Sequence, residues 1–107
     1  DVYPAYQLGW FPDYSDADNY LTPFFSKNNF LSNHYATPAI PHLLPAQVGT
    51  TDKAARTKII EEIQDKEAAD LSTLPYLQGS QTAVVAKDVK GTTLDASFKF
   101  RYAPMSK

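Results

Sequence analysis

Asp52-Lys-Ala-Ala-Arg-Thr-Lys-Ile-Ile-Glu-Glu-Ile-Gln-Asp-Lys-Glu-Ala-Ala69 is the stretch with the clearest period. Ala55, Ile59, Ile60 and Ile63 recur at helical spacing and form one apolar stripe, leaving Arg56, Lys58, Glu61, Glu62 and Asp65 for water. Thr50, Thr51 or Asp52 can cap the first turn, because each side-chain oxygen can accept from an orphan amide. Glu62 and Lys66 stand four apart, a pairing that contributes only a few tenths of a kcal/mol. The helix is expected to end near Asp70, ahead of Ser72-Thr73.

Upstream, Thr37 to Val48 places Ile40, Leu43, Leu44 and Val48 at helical spacing, with Pro38 suited to a first turn. Pro41 and Pro45 lie further in, where each costs about 3 kcal/mol in a regular helix interior, so a short or broken helix is expected. The Asn-rich residues 26–35 read as loop, and the apolar run from Tyr20 to Phe25 as a short buried helix or turn. Residues 5–11 alternate Tyr6, Leu8 and Trp10 with Gln7 and Gly9, a strand pattern that Pro12 ends. Downstream, 74–77 and 82–86 read as strands, 89–91 as a turn, and 97–102 as a half-buried terminal strand. The pattern predicts an α/β (mixed α+β) fold, with no repeat and no low-complexity segment.

A chain of 107 residues can build one modest core. Its unusual feature is seven Tyr, six Phe and one Trp. Packing is the commoner use of such residues, although they also serve binding surfaces. The net charge is −2 and no basic stripe is present, which argues against a nucleic-acid partner. The absence of cysteine excludes disulfides, thiolate metal sites and a thiol nucleophile. No stretch reaches the ~18 apolar residues of a membrane span. The opening Asp1-Val2-Tyr3-Pro4 does not read as a signal peptide, so a mature, trimmed or excised piece is expected.

Asp13, Asp16, Asp18 and Asn19 invite a metal reading. Counting an EF-hand loop from Asp16 puts Tyr20 at the fifth position and Lys27 at the twelfth, so that pattern fails. His34 and His42 have no acidic residue at ligand spacing, and no Ser sits in Gly-x-Ser-x-Gly. No catalytic set, metal site or cofactor is expected. Asp16, Asp18 and Asn19 read as residues that hold a turn through side-chain-to-backbone bonds.

The longer segment Leu8-Gly-Trp-Phe-Pro-Asp-Tyr-Ser-Asp-Ala-Asp-Asn-Tyr-Leu21 resembles the strand–Gly-Trp-x-x-Asp-x-x-Asp-Pro-Asp-Asn-Phe segment of the family 5 extracellular solute-binding proteins. These serve dipeptide, oligopeptide and nickel ABC transporters. Asn33-His-Tyr35 with Thr37-Pro38 resembles the family's Asn/His-Tyr-x-Ser-Pro, and Thr51-Asp52 with Arg56 resembles its x-Asp-x-x-x-Arg helix start. Gln64, Pro75-Tyr76 and Val89-Lys-Gly91 also fall at family-like positions, so the resemblance spans essentially the whole chain. Ala17 and Ser72 stand where the family commonly has Pro, and Pro41 and Pro45 interrupt a segment that is usually plain helix.

The resemblance implies the C-terminal part of a two-lobed periplasmic-binding-protein type II fold. Residues 1–75 would belong to the second lobe, with 8–21 the ligand-contact segment, and 76–107 would return as strands to the first lobe. It also implies a ligand-binding protein, not an enzyme, closing on an oligopeptide or dipeptide. Asp13 would pair with the ligand's α-amino group, or else cap a turn after Pro12, and Trp10 and Phe11 would line a side-chain pocket, with core packing the alternative for Trp10. The expected partners are an ABC permease and the remaining lobes, or a complementing chain. The expected location is extracytoplasmic, in the periplasm or at the cell surface, with a lipoprotein anchor on the full-length protein. Two other readings stay open: a small carboxylate-dependent hydrolase using Asp13, Asp16 and Asp18, and a structural or interaction module whose aromatics dock a partner protein.

Overall fold

A computed structural model describes residues 3–33 and 37–107. Among these described residues three helices form: α1 (Asp18–Phe25), α2 (Ile40–Gly49) and α3 (Lys53–Asp70). The Asp52 carboxylate accepts from the Ala55 amide at 2.8 Å and starts α3. At the other end Leu71 turns into the left-handed region (φ 51°), and its amide donates to the Glu67 carbonyl at 2.7 Å. Glu62 and Lys66 pair at 3.4 Å. The α3 stripe is narrower than its spacing predicts. Ile63 is fully buried and Ile59 and Ile60 are half-buried, whereas Ala55 is exposed. One turn beyond Ile63 the buried face continues into a carboxylate, Glu67, which accepts from the Ser72 hydroxyl (2.8 and 2.9 Å) and the Thr73 amide (2.6 Å). Those donors offset the cost of desolvating it.

α2 is short, at ten residues, and of the two outcomes its prolines predict it is the short helix and not a broken one. Pro41 stands in the first turn, where a missing N–H loses no intrahelical bond. Pro45 frees only the Pro41 carbonyl, and Pro41 is exposed. The buried face of α2 is Ile40, Leu44 and Gln47, while Val48 points outward. α1 confirms the helix at 20–25 and extends it back to Asp18, an acid suited to a helix N-terminus. Ile40, Leu44, Ile63 and Leu21 make the core, with Phe25, Leu43, Ile59 and Ile60 against it. The Thr37 hydroxyl also donates to the Asp70 carboxylate, tying the approach to α2 to the end of α3.

The mixed α/β expectation is corrected. Among the described residues the regular elements are helices, and the strands expected at 5–11, 74–77, 82–86 and 97–102 do not form. The pairing among the described residues is two isolated antiparallel bridges, Lys90↔Ser106 and Leu94↔Phe100. Alternation is half of what a strand needs; the other half is a neighbouring edge to take its N–H and C=O groups. Around the bridges, residues 90–106 double back through a turn at 95–98. There the Phe98 amide donates to the Asp95 carbonyl (3.0 Å), and the Ser97 amide and hydroxyl both donate to the Asp95 carboxylate. The turn expected at 89–91 falls at 87–88. Gly91 (φ +71°) instead passes the Pro104 carbonyl so closely that an added Cβ would lie 2.1 Å from its oxygen.

The chain divides into two compact units. Asp16–Gly79 holds the three helices, and Asp1–Ser15 joins Ser80–Lys107 in the other. His34 and Tyr35, the middle of the Asn33-to-Pro38 motif and the end of the expected 26–35 loop, lie outside the described residues. So do Asp1 and Val2 of the opening.

Candidate functional site

Trp10, Phe11 and Asp13 lie together in the non-helical unit. Trp10 is half-buried, Pro12 buried, and Phe11 and Asp13 exposed. Residues near the C-terminus hold this segment. Phe11 meets Phe98 edge-to-face, with ring centroids 5.5 Å apart and planes at 73°. The Lys99 ammonium donates to the Asp13 main-chain carbonyl at 3.0 Å. The Gln81 amide donates to the Phe98 carbonyl, steadying the element that Phe11 leans on. An aromatic pair and a charge-assisted bond thus bracket Pro12, which itself fixes the backbone.

In the helical unit, Asp16 and Asp18 belong to a connected polar network. The Arg56 guanidinium takes Asp16 in a two-point grip, Nη1 to Oδ2 at 2.9 Å and Nη2 to Oδ1 at 2.5 Å. Arg56 also donates to Gln47, from Nε to its carbonyl (3.0 Å) and Oε1 (3.2 Å) and from Nη2 to Oε1 (2.9 Å). Gln47 in turn donates to Asp18 Oδ1 at 2.6 Å, and the Thr22 hydroxyl reaches the same oxygen at 2.5 Å. Finally, Asp16 Oδ1 accepts from the Asp18 amide at 2.8 Å, the side-chain-to-backbone turn bond expected of this residue. The network joins the start of α1, the end of α2 and the start of α3.

Electrostatics follows from these contacts. The Arg56 hydrogen bonds, helped by the Asp18 amide and opposed by desolvation, lower the Asp16 carboxyl from 3.8 to about 2. The same ion pair raises Arg56 above its ordinary value. In the other unit the Ser97 hydroxyl and the Lys99 amide lower Asp95. Asp16 is therefore ionised at neutral pH and committed to Arg56, whereas a carboxyl acting as general acid needs its pKa pushed up.

Two residues of the network have a different environment from the one the sequence predicts. Arg56 reads as water-facing but folds back onto Asp16. Gln47, a polar residue that hydrophobic spacing passes over, is fully buried. Its signal was its position three residues after Leu44 and seven after Ile40, on the buried stripe of α2. Asn19 is buried too, one residue into α1. An open apolar groove of about 590 Å³ runs between α1 and α2, lined by Thr22, Lys27, Pro41, Leu44, Pro45 and Val48 among others. Among the described residues, no group of three His, Asp or Glu side chains converges to hold a metal ion, and no helix is long and apolar enough to cross a membrane. No family model, curated protein or solved structure matches the chain.

Proposed function

We propose that the chain is part of an extracytoplasmic solute-binding protein of an ABC importer, which closes on a peptide whose α-amino group pairs with Asp13. The observation that carries this reading is the Asp16–Arg56 grip. The Gly9-Trp10…Asp13…Asp16 segment and the Asp52…Arg56 helix start resemble the family separately, 40 residues apart, and here they join in one hydrogen-bonded pair. Functionally, an exposed carboxylate on a braced segment suits capture of an amine, because lobe closure removes water and strengthens the pair. Trp10 and Phe11 beside it offer apolar area for a ligand side chain.

The remaining parts of the reading are the C-terminal part of a type II two-lobed fold, a lipoprotein anchor and a cognate permease. Tyr3, Tyr6, Phe11, Leu77, Val84 and Tyr102 are more than half exposed, which supports a larger assembly. In this reading the rest of the protein covers these side chains. It would also supply the edges that the alternating segments lack. The same surface favours an interaction module as the second reading, in which a protein partner binds and no small ligand does.

The test is calorimetric titration of tri-alanine into the full-length polypeptide carrying this sequence, beside Asp13→Asn and beside N-acetyl-tri-alanine. Losing a charge-assisted bond is expected to weaken binding by about 10- to 100-fold in either comparison. Equal affinity in all three titrations removes Asp13 from amine recognition.

A further inference from the structure

Resting on the peptide-binding reading, we infer that Lys99 is a positioning residue for amine recognition: its ammonium fixes the main chain at Asp13, and with it the place where the carboxylate meets a peptide amine. Lys99 Nζ donates to the Asp13 carbonyl at 3.0 Å, a charge-assisted bond between residues 86 apart in the chain. That carbonyl and the Asp13 side chain share one Cα, so holding the first limits where the second can stand. The residues before Asp13 are held as well. Pro12 is buried and its ring fixes φ, and the Phe11 ring packs edge-to-face on Phe98, the residue next to Lys99. All of these residues lie in the one unit formed by Asp1–Ser15 and Ser80–Lys107.

Lys99 is presented by the turn at 95–98. One oxygen of the Asp95 carboxylate accepts from the Ser97 amide (2.9 Å), the Ser97 hydroxyl (2.7 Å) and the Lys99 amide (3.1 Å). The Gln81 side-chain amide donates to the Phe98 carbonyl at 3.0 Å. Between these bonds Phe98 takes a left-handed backbone, φ 63°, which a bulky residue adopts only where its surroundings hold it there. Lys99 is thus tied to Asp95 by its main chain and to Asp13 by its tip. Its charge works the other way. A cation bound to the Asp13 main chain opposes an arriving ammonium. A role exerted through charge and a role exerted through position therefore predict opposite effects when the cation is removed.

The experiment measures one ratio by calorimetric titration of the full-length polypeptide, the affinity for tri-alanine over that for N-acetyl-tri-alanine. Lys99→Met and Lys99→Arg are compared with the parent and with Gly91→Ala, which strains the same unit at the Pro104 carbonyl. Lys99 is exposed, so neither substitution there disturbs a core. The parent is expected to favour the free amine by about 10- to 100-fold, and Lys99→Met to lose about tenfold of that ratio while binding the acetylated peptide as the parent does. Lys99→Arg keeps a cationic donor on a long side chain and is expected to retain most of the ratio. Gly91→Ala is expected to keep it. If Lys99→Met keeps or raises the ratio, if Lys99→Arg loses as much as Lys99→Met, or if Gly91→Ala loses it equally, the positioning role is wrong and the peptide-binding reading stands. If the parent itself shows no preference, the reading fails and this inference fails with it.

Discussion

Substituting Asp16 by Asn leaves the shape of the network and removes its charge. In the parent, the Asp16 carboxylate accepts from Arg56 at 2.9 and 2.5 Å and from the Asp18 amide at 2.8 Å. These contacts lower its pKa from 3.8 to about 2. At about 1.4 kcal/mol per pKa unit, that difference sets a ceiling near 2.5 kcal/mol on the linked stability. The Asp16 side chain is 36% exposed, so solvent screening reduces the figure to about 1 kcal/mol. Because the folded pKa lies below the unfolded one, this contribution is present in full above about pH 4. It is lost as the pH falls through about 2.

Asp16→Asn should therefore be less stable than the parent by about 1 kcal/mol at pH 7, a fall of about 4–8 °C in Tm for a domain of this size. The difference should close as the pH approaches 2. Far-UV circular dichroism is the suitable assay, since the regular elements are helical and lie in the unit that carries Asp16. Asp95 also titrates low, but it contributes equally to both proteins and cancels in the difference. Equal stability at pH 7, or a gap that persists unchanged at pH 2, refutes the reasoning.

Other substitutions test the packing and the backbone. Ile63 is fully buried in the core, so Ile63→Ala should cost about 2–5 kcal/mol in urea unfolding; a loss within about 0.5 kcal/mol would mean that the core is not where it is described. Leu71 holds a left-handed conformation with its side chain exposed, so Leu71→Gly should raise stability by about 0.5–1 kcal/mol, read as an increase in Tm. Gly91→Ala sets a methyl group against the Pro104 carbonyl, so hydrogen exchange at the Lys90 and Ser106 amides should accelerate while the α3 amides keep their protection.

How much of this was legible depends on how local each determinant is. The cap at Asp52, the end of α3 and the Glu62–Lys66 pair depend on residues a few positions apart, and the sequence shows them directly. Val48 is expected on the buried stripe of α2 but is exposed, and Gln47 is buried instead, donating to Asp18 and accepting from Arg56. Hydrophobic spacing alone cannot express such bonds. Arg56 reads as a surface charge for the same reason, since its partner stands 40 residues away. The strands failed most plainly. Tyr6, Leu8 and Trp10 alternate as a strand should, but pairing is decided by an edge that their own sequence does not contain. As for the candidate site, the Trp10–Asp13 segment stood out by its order of residues. Its contacts with Phe98 and Lys99 are long-range and became visible only in the fold.

The central claim is that this chain works as part of a larger protein that holds a peptide. Native mass spectrometry of the protein isolated gently from its source tests that most directly. The account predicts residues 1–107 within or alongside a larger polypeptide, carrying a peptide-sized extra mass that added tri-alanine displaces. The chain flying alone, without added mass and without taking up tri-alanine, would contradict it.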